Sequence, residues 1–132
     1  MLGTSLGATA VSFLYPVLRY LVPPLASEPS GTEFELEVKA SEVPSNSGRI
    51  VPLAGKPVLL FRGASGELKA LTATCTHLDC TVQYRADRSD IWCACHNGVY
   101  DLDGKNISGP PPRPLTALEV YVRGEKIILR RA

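Results

Sequence analysis

Hydrophobic and polar residues follow two different patterns along this chain, and the change falls near residue 23. From Leu2 to Val22 (LGTSLGATAVSFLYPVLRYLV) apolar and small residues run nearly unbroken, and Arg19 is the one charge. A helix of that length reaches about 30 Å at roughly 1.5 Å per residue, enough to cross a bilayer. The pattern therefore predicts a transmembrane helix. Gly3, Gly7, Ala8 and Ala10 would give it a face for close packing, Pro16 a tolerated kink, and Tyr15, Arg19 and Tyr20 interfacial anchors. A cleaved signal peptide would look similar, but a basic leader is missing and the apolar run is long for one. A buried core helix fits poorly, because the rest of the chain is too small to enclose it. Pro23, Pro24 and Pro29, with Ser27, Ser30 and Gly31, then read as a semi-rigid linker.

Beyond the linker the period becomes two. Phe34, Leu36 and Val38 alternate with Glu35, Glu37 and Lys39, a half-buried strand. Val58 to Phe61 is a buried strand, and Gly63 to Gly66 turns it into Leu68 to Thr72 as a hairpin. Ile91 and Trp92 lead into Cys93. Leu118 to Val122 alternates again, and a turn over Arg123 to Lys126 brings in Ile127 to Leu129 to close a sheet. The chain is mainly β.

Composition narrows the picture. The 132 residues make one domain with little to spare. Net charge is +1 with charges scattered, so no basic stripe suggests nucleic acid. Eleven Pro and eleven Gly favour a loop-rich β fold. Such a small core gains much from a metal centre or a disulfide.

The candidate chemistry lies in Cys75-Thr76-His77-Leu78-Asp79-Cys80 and Cys93-Ala94-Cys95-His96, which hold all four cysteines and both histidines. Each segment follows a strand, so the two form loops like fingers. A structural zinc site also uses two Cys and two His, but its usual spacing runs C-x2–4-C then H-x3–5-H, and here each half is mixed. Two plain disulfides would leave both histidines idle. A third loop, Gly109-Pro110-Pro111-Pro112-Arg113-Pro114, reads by itself as a rigid surface turn.

The pattern C-x-H-x-x-C followed by C-x-C-H resembles the Rieske iron–sulfur family over roughly residues 70 to 116. The resemblance implies one 2Fe–2S cluster, with two Cys on one iron and two His on the other. Carried over, Cys75 and Cys93 bind the inner iron, His77 and His96 bind the outer iron, and Cys80 and Cys95 form the disulfide of the quinol-oxidising branch. That disulfide implies an oxidising compartment such as a bacterial periplasm. Neutral imidazoles would raise the potential to about −150 to +300 mV, from about −400 mV for all-Cys clusters. The implied fold is a small antiparallel sheet sandwich of Rieske type. An anchor helix occupies residues 1–22, a hinge linker 23–32 and the Rieske domain 33–132, with its cluster-binding part at about 73–116. The proline-rich loop, Pro111 included, becomes a wall beside the cluster. Tyr100 would bond the sulfur of Cys75. Leu78 would be either an apolar docking tip or partly buried. Three departures from the family pattern stand out: Asp79 for Gly, Ala94 for Pro, and Asn97-Gly98 for Gly-Ser. Serine restored at position 98 is expected to raise the potential.

The function this implies is that of a membrane-anchored electron carrier, the Rieske subunit of a cytochrome bc-type quinol:cytochrome c oxidoreductase, active as part of that complex and not alone. Quinol would dock on an exposed ligand, His96 foremost with His77 beside it, and give up one electron and a proton. A cytochrome b subunit, a cytochrome c-type subunit and membrane lipid would be partners in a dimeric respiratory or photosynthetic assembly. The implied location is a bacterial inner membrane, crossed once, with the head on the periplasmic side. Gly98 and Asp79 point to a low potential and to menaquinol. The competing role is the small Rieske relay subunit of a periplasmic molybdenum enzyme such as arsenite oxidase. The extra Cys pair and the apolar helix argue against a ferredoxin-like oxygenase domain.

Overall fold

A computed structural model of the chain describes residues 2–22 and 33–131. The expected hinge, residues 23–32, lies outside the described residues. Contacts divide the chain into two compact units, Met1–Ser30 and Gly31–Ala132.

Among the described residues the first unit holds one helix, α1 (Leu2–Leu21), with Pro16 inside it and Arg19 in its last turn. From Gly7 onward its side chains are exposed. The expected helix is present, but the expected transmembrane span needs correction: no helix among the described residues is long and apolar enough to cross a membrane. The reason lies in composition. Thr4, Ser5, Thr9, Ser12 and Arg19 are interspersed with two glycines and dilute the apolar run. Ser12 hydroxyl donates back to the Ala8 carbonyl at 2.9 Å.

The second unit consists of two antiparallel sheets. The strands are β1 (Glu33–Lys39), β2 (Ser47–Leu53), β3 (Lys56–Arg62), β4 (Leu68–Thr72), β5 (Gln83–Arg85), β6 (Asp90–Cys93), β7 (Gly98–Tyr100), β8 (Asn106–Ser108), β9 (Ala117–Arg123) and β10 (Lys126–Arg131). The larger sheet runs β1-β10-β9-β4-β3-β2 and the smaller β5-β6-β7-β8. β2 was not expected. Gly48, Arg49 and Pro52 interrupt its apolar pattern, and Pro52 is tolerated because β2 is an edge strand.

β3 explains how the two sheets share a core. Its residues Val58 to Phe61 are all buried, and they alternate between two clusters. Leu59 and Phe61 join Leu71, Ala73, Val82, Ile91, Tyr100 and both free cysteines. Val58 and Leu60 join Leu36, Val51, Leu53, Ala70, Ile127 and Leu129. A continuous apolar run buried on both faces is what a strand between two packed layers requires. Leu36 and Val51 come from opposite edge strands yet share a cluster, so the larger sheet curls over its own core.

The smaller sheet docks where β5 lies on β2 and β3. Tyr84 stacks on Phe61 with ring centroids 5.4 Å apart. A Cβ on Gly48 would stand 2.6 Å from Tyr84 Cβ, so only glycine allows this approach. Arg85 closes the next strand with a two-pronged bond to Asp90, at 2.7 and 2.6 Å.

Candidate metal centre

Finger one leaves β4 and returns into β5. A bridge between Thr74 and Thr81 and the bond from Val82 N–H to Ala73 carbonyl, 2.8 Å, set its base. Cys75 N–H donates to Cys80 carbonyl at 2.8 Å, and Asp79 N–H donates to Cys75 carbonyl at 3.1 Å. Closing so short a turn puts Asp79 at φ 57°, in the left-handed region. Aspartate occupies that region more readily than most residues, so it can stand where glycine would be expected.

Finger two is the β6–β7 hairpin, with Cys93 paired to Gly98. Asn97 takes the left-handed position at φ 55°, and Trp92 indole N–H donates to its side-chain oxygen at 2.8 Å. The two fingers are bridged by a disulfide between Cys80 and Cys95, as expected.

Cys75 and Cys93 are free and buried, each 2% exposed. Burial pushes the Cys75 thiol up, but the Tyr100 hydroxyl, the His77 N–H, the Cys93 thiol and the Leu78 N–H outweigh it and hold Cys75 below the usual thiol range. Cys93 is pushed up by burial and by Cys75, against the backbone N–H groups of Cys95 and His96. Each finger thus aims the N–H groups of the second and third residues after its Cys at that sulfur. Such an array favours anionic sulfur.

The two imidazoles meet edge to face, with centroids 4.7 Å apart. His96 is exposed and His77 half-buried. His77 Nδ1 is buried with no hydrogen-bond partner. A buried ring nitrogen without a partner is costly unless its lone pair meets a metal. Two buried thiols with inward N–H donors, two facing imidazoles and this orphaned nitrogen fit a centre with a thiolate side and an imidazole side. The Sγ atoms of Cys80, Cys93 and Cys95 also lie within 4.8 Å of one another, but two of them are in the disulfide and cannot both be thiolate donors.

Tyr100 is fully buried, and its hydroxyl lies 3.3 Å from Cys75 Sγ. The same oxygen accepts from Thr76 N–H at 3.1 Å. Thr76 hydroxyl donates to Arg113 carbonyl at 2.7 Å, so its own oxygen and Cys75 Sγ, each 3.3 Å from the Tyr100 hydroxyl, are the two acceptors for the Tyr100 proton. Burial and Cys75 raise the Tyr100 pKa, which keeps that proton in place. Thr76 was missed by sequence reasoning. Its one signal was its place between two candidate ligands.

The third loop packs on both fingers. Pro111 is buried, and Asn106 side-chain N–H donates to its carbonyl at 2.9 Å. Gly109, at φ 87°, sits so near Asn97 carbonyl and Gly98 Cα that a Cβ would come within 2.8 Å of both. Gly98 is equally crowded: its Cβ would lie 2.5 Å from Pro111 Cγ. A serine at 98 would therefore have to displace the Pro111 ring before its hydroxyl could donate. Leu78 is 63% exposed, a projecting apolar tip. A half-open groove of about 900 Å³ runs behind finger one, between Thr76, Arg113, Lys56 and Leu118, and neither histidine lines it.

Residues 34–122 match the Rieske [2Fe-2S] domain. The chain belongs to this family of iron–sulfur proteins, and its cofactor is a 2Fe–2S cluster. It is 37% identical over 123 residues to the cytochrome b6-f complex iron-sulfur subunit of Chlorobaculum thiosulfatiphilum, covering 93% of this chain and 67% of the relative. The same subunit of Chlorobaculum tepidum is 40% identical over 120 residues, covering 91% and 65%. The menaquinol:cytochrome c reductase iron-sulfur subunit of Geobacillus thermodenitrificans is 29% identical over 141 residues, covering 96% and 83%. A chain of a hyperthermophilic respiratory Complex III superposes with a TM-score of 0.60 at 27% identity, covering 96% of each chain. This chain spans about two thirds of the length of the two Chlorobaculum proteins.

Proposed function

We propose that Cys75, Cys93, His77 and His96 hold the 2Fe–2S cluster, and that the chain is the Rieske subunit of a cytochrome bc-type complex oxidising quinol, menaquinol in particular. The reading is carried by the edge-to-face His77–His96 pair together with two buried free thiols, on fingers tied by Cys80–Cys95. When bound, the cluster supplies a one-electron acceptor whose imidazole ligands reach the surface. The protein's part is to seal the thiolate side and present an imidazole. Tyr100, Thr76 and Pro111 exclude water from the thiolate side. His96, the more exposed ring, accepts the hydrogen bond and then the proton of a docked quinol. Leu78, projecting from finger one, seats on the apolar surface of a cytochrome b subunit.

The electron then passes to a cytochrome c-type partner as the head moves on the linker 23–32. The disulfide suits an oxidising compartment, so the head faces the periplasm of a bacterial inner membrane. α1 attaches the head by packing its small residues against the helices of its partners and against lipid. The names of the Geobacillus and Chlorobaculum relatives support a bc-type assembly, and the Geobacillus name supports menaquinol.

The test is spin resonance and redox titration of the reduced protein, with His96→Ala and Cys93→Ser beside it. A mixed-ligand 2Fe–2S signal lost in both variants, with the disulfide intact in His96→Ala, is expected. A signal that survives His96→Ala would overturn the ligand assignment. In the assembled complex, menaquinol should reduce the cluster and His96→Gln should not be reduced.

A further inference from the structure

Three sulfur atoms crowd the junction of the fingers. The Sγ atoms of Cys80, Cys93 and Cys95 lie within 4.8 Å of one another. Cys80 and Cys95 are bridged, whereas Cys93 is a free thiol fixed by the β6 ladder opposite Gly98. Cys75, the other free thiol, is not among the three. Thiol–disulfide exchange needs a thiolate that reaches a bridged sulfur along the S–S axis, and no outside oxidant.

We propose that Cys93, whenever it is not holding iron, attacks Cys80 and moves the bridge from Cys80–Cys95 to Cys80–Cys93. This rests on the reading of Cys93 as a cluster ligand. The step balances within the chain. A bond forms between Cys93 Sγ and Cys80 Sγ, and the Cys80–Cys95 bond breaks. The electron pair leaves with Cys95 Sγ, which takes up the proton that Cys93 gives. Nothing is oxidised or reduced overall.

Which bridged sulfur is attacked follows from exposure and topology. Cys95 is exposed, so water stabilises it as the leaving group, whereas Cys80 is half-buried against the core. Attack on Cys95 would join two residues separated by one and would untie the fingers. Attack on Cys80 keeps finger one tied to finger two. The product has spent one thiolate ligand, and iron can no longer be held by Cys75 and Cys93 together. The bridge thus acts as a record of cluster occupancy: a head that loses its cluster cannot reload until the freed Cys95 thiol attacks Cys80 again and returns Cys93, or a reductant opens the bridge.

The test uses the full chain, loaded and then stripped of iron with a chelator. Samples are acid-quenched at intervals, alkylated in denaturant, digested and fragmented across Cys93-Ala94-Cys95. Label is expected on Cys75 and Cys93 at first. It should then move from Cys93 to Cys95 while a Cys80–Cys93 linked peptide accumulates. Persistence of Cys80–Cys95, with label remaining on Cys93, would overturn the proposal. Linked peptides containing Cys75, or a Cys93–Cys95 bridge, would mean general scrambling of an unfolded chain and would overturn it as well. A parallel arm alkylates the loaded protein in its native state, where Cys93 should be spared. Labelling of Cys93 there would overturn the ligand reading together with the exchange, whereas sparing without later exchange would overturn the exchange alone.

Discussion

Pro111 Cγ stands 2.5 Å from the point a Cβ on Gly98 would occupy. The ring is buried, and its carbonyl is held by Asn106, so it cannot swing away cheaply. Gly98→Ser should therefore destabilise the head by about 1–3 kcal/mol, the usual cost of overpacking. Iron loss should quicken as the third loop lifts. Gly98→Ser combined with Pro111→Ala makes room for the side chain. If a hydroxyl at 98 can donate to the cluster, the double variant should show a higher midpoint than Pro111→Ala alone. Redox titration of the three variants checks this, and equal midpoints would show that the hydroxyl finds no acceptor.

Tyr100→Phe removes a hydroxyl that serves two partners. Loss of a hydrogen bond to charged sulfur is worth about 1.5–3 kcal/mol. At 59 mV per about 1.4 kcal/mol, the midpoint should fall by roughly 60–130 mV if the reduced state bears the whole loss. Thr76 N–H also loses its acceptor, so stability should fall by about 1–3 kcal/mol. Titration and denaturant melts measure the two effects separately. Thr76→Val removes the oxygen that competes with Cys75 Sγ for the Tyr100 proton, so it should move the midpoint upward, opposite to Tyr100→Phe.

Cys80→Ser should leave all four candidate ligands in place while freeing the fingers from each other. The bridge spans 15 residues, and a loop of about that size contributes roughly 3 kcal/mol in the chain-entropy model. The cluster should be released faster and its potential should drop. An unchanged release rate and midpoint would mean the bridge has no part in holding the site.

Gly48→Ala tests the docking of the smaller sheet. The new Cβ meets Tyr84 Cβ at 2.6 Å, and both belong to backbone-fixed strands. A loss of about 1–3 kcal/mol is expected. Since Tyr84 stacks on Phe61 beneath the fingers, iron retention should weaken along with the melting temperature.

Acid stability should carry a contribution from Glu119. The Arg130 bond first, then the Tyr121 hydroxyl, hold its carboxyl below the ordinary value of 4.5. A lowered folded pKa means stability that is present above the unfolded carboxylate value and lost as pH falls through the folded one. Above about pH 6 the effect is flat, because the carboxyl is ionised in both states. Glu119→Gln should flatten the acid limb of a melting-temperature profile and leave its neutral arm parallel to the original. The group is exposed, so the effect should shrink with salt.

Sequence by itself determined the chemistry and the class of fold. Metal-binding residues are recognised by type and short spacing, so Cys75, His77, Cys93 and His96 could be singled out before any strand was placed; the structure pairs the two imidazoles and buries the two free thiols. Period-two alternation marked β1 and β9, and apolar runs bounded by turn residues marked β3, β4 and β10, because both signals are local in sequence. Other features have no local signature. β2 is broken by Gly48 and Pro52, and β5, β7 and β8 are three residues long, too short to show a period. The apolar run of α1 was legible as a helix, but its hydroxyls and Arg19 keep it below what a lone span needs.

Only the tertiary structure decided how the site is closed. Thr76 and Arg113 are 37 residues apart, Gly98 and Pro111 belong to different loops, and the third sulfur beside the disulfide comes from a strand. Each of these contacts depends on sheet order and on how two loops approach a third. Residue type and spacing can name the ligands, but only packing determines which atoms occupy the space around them.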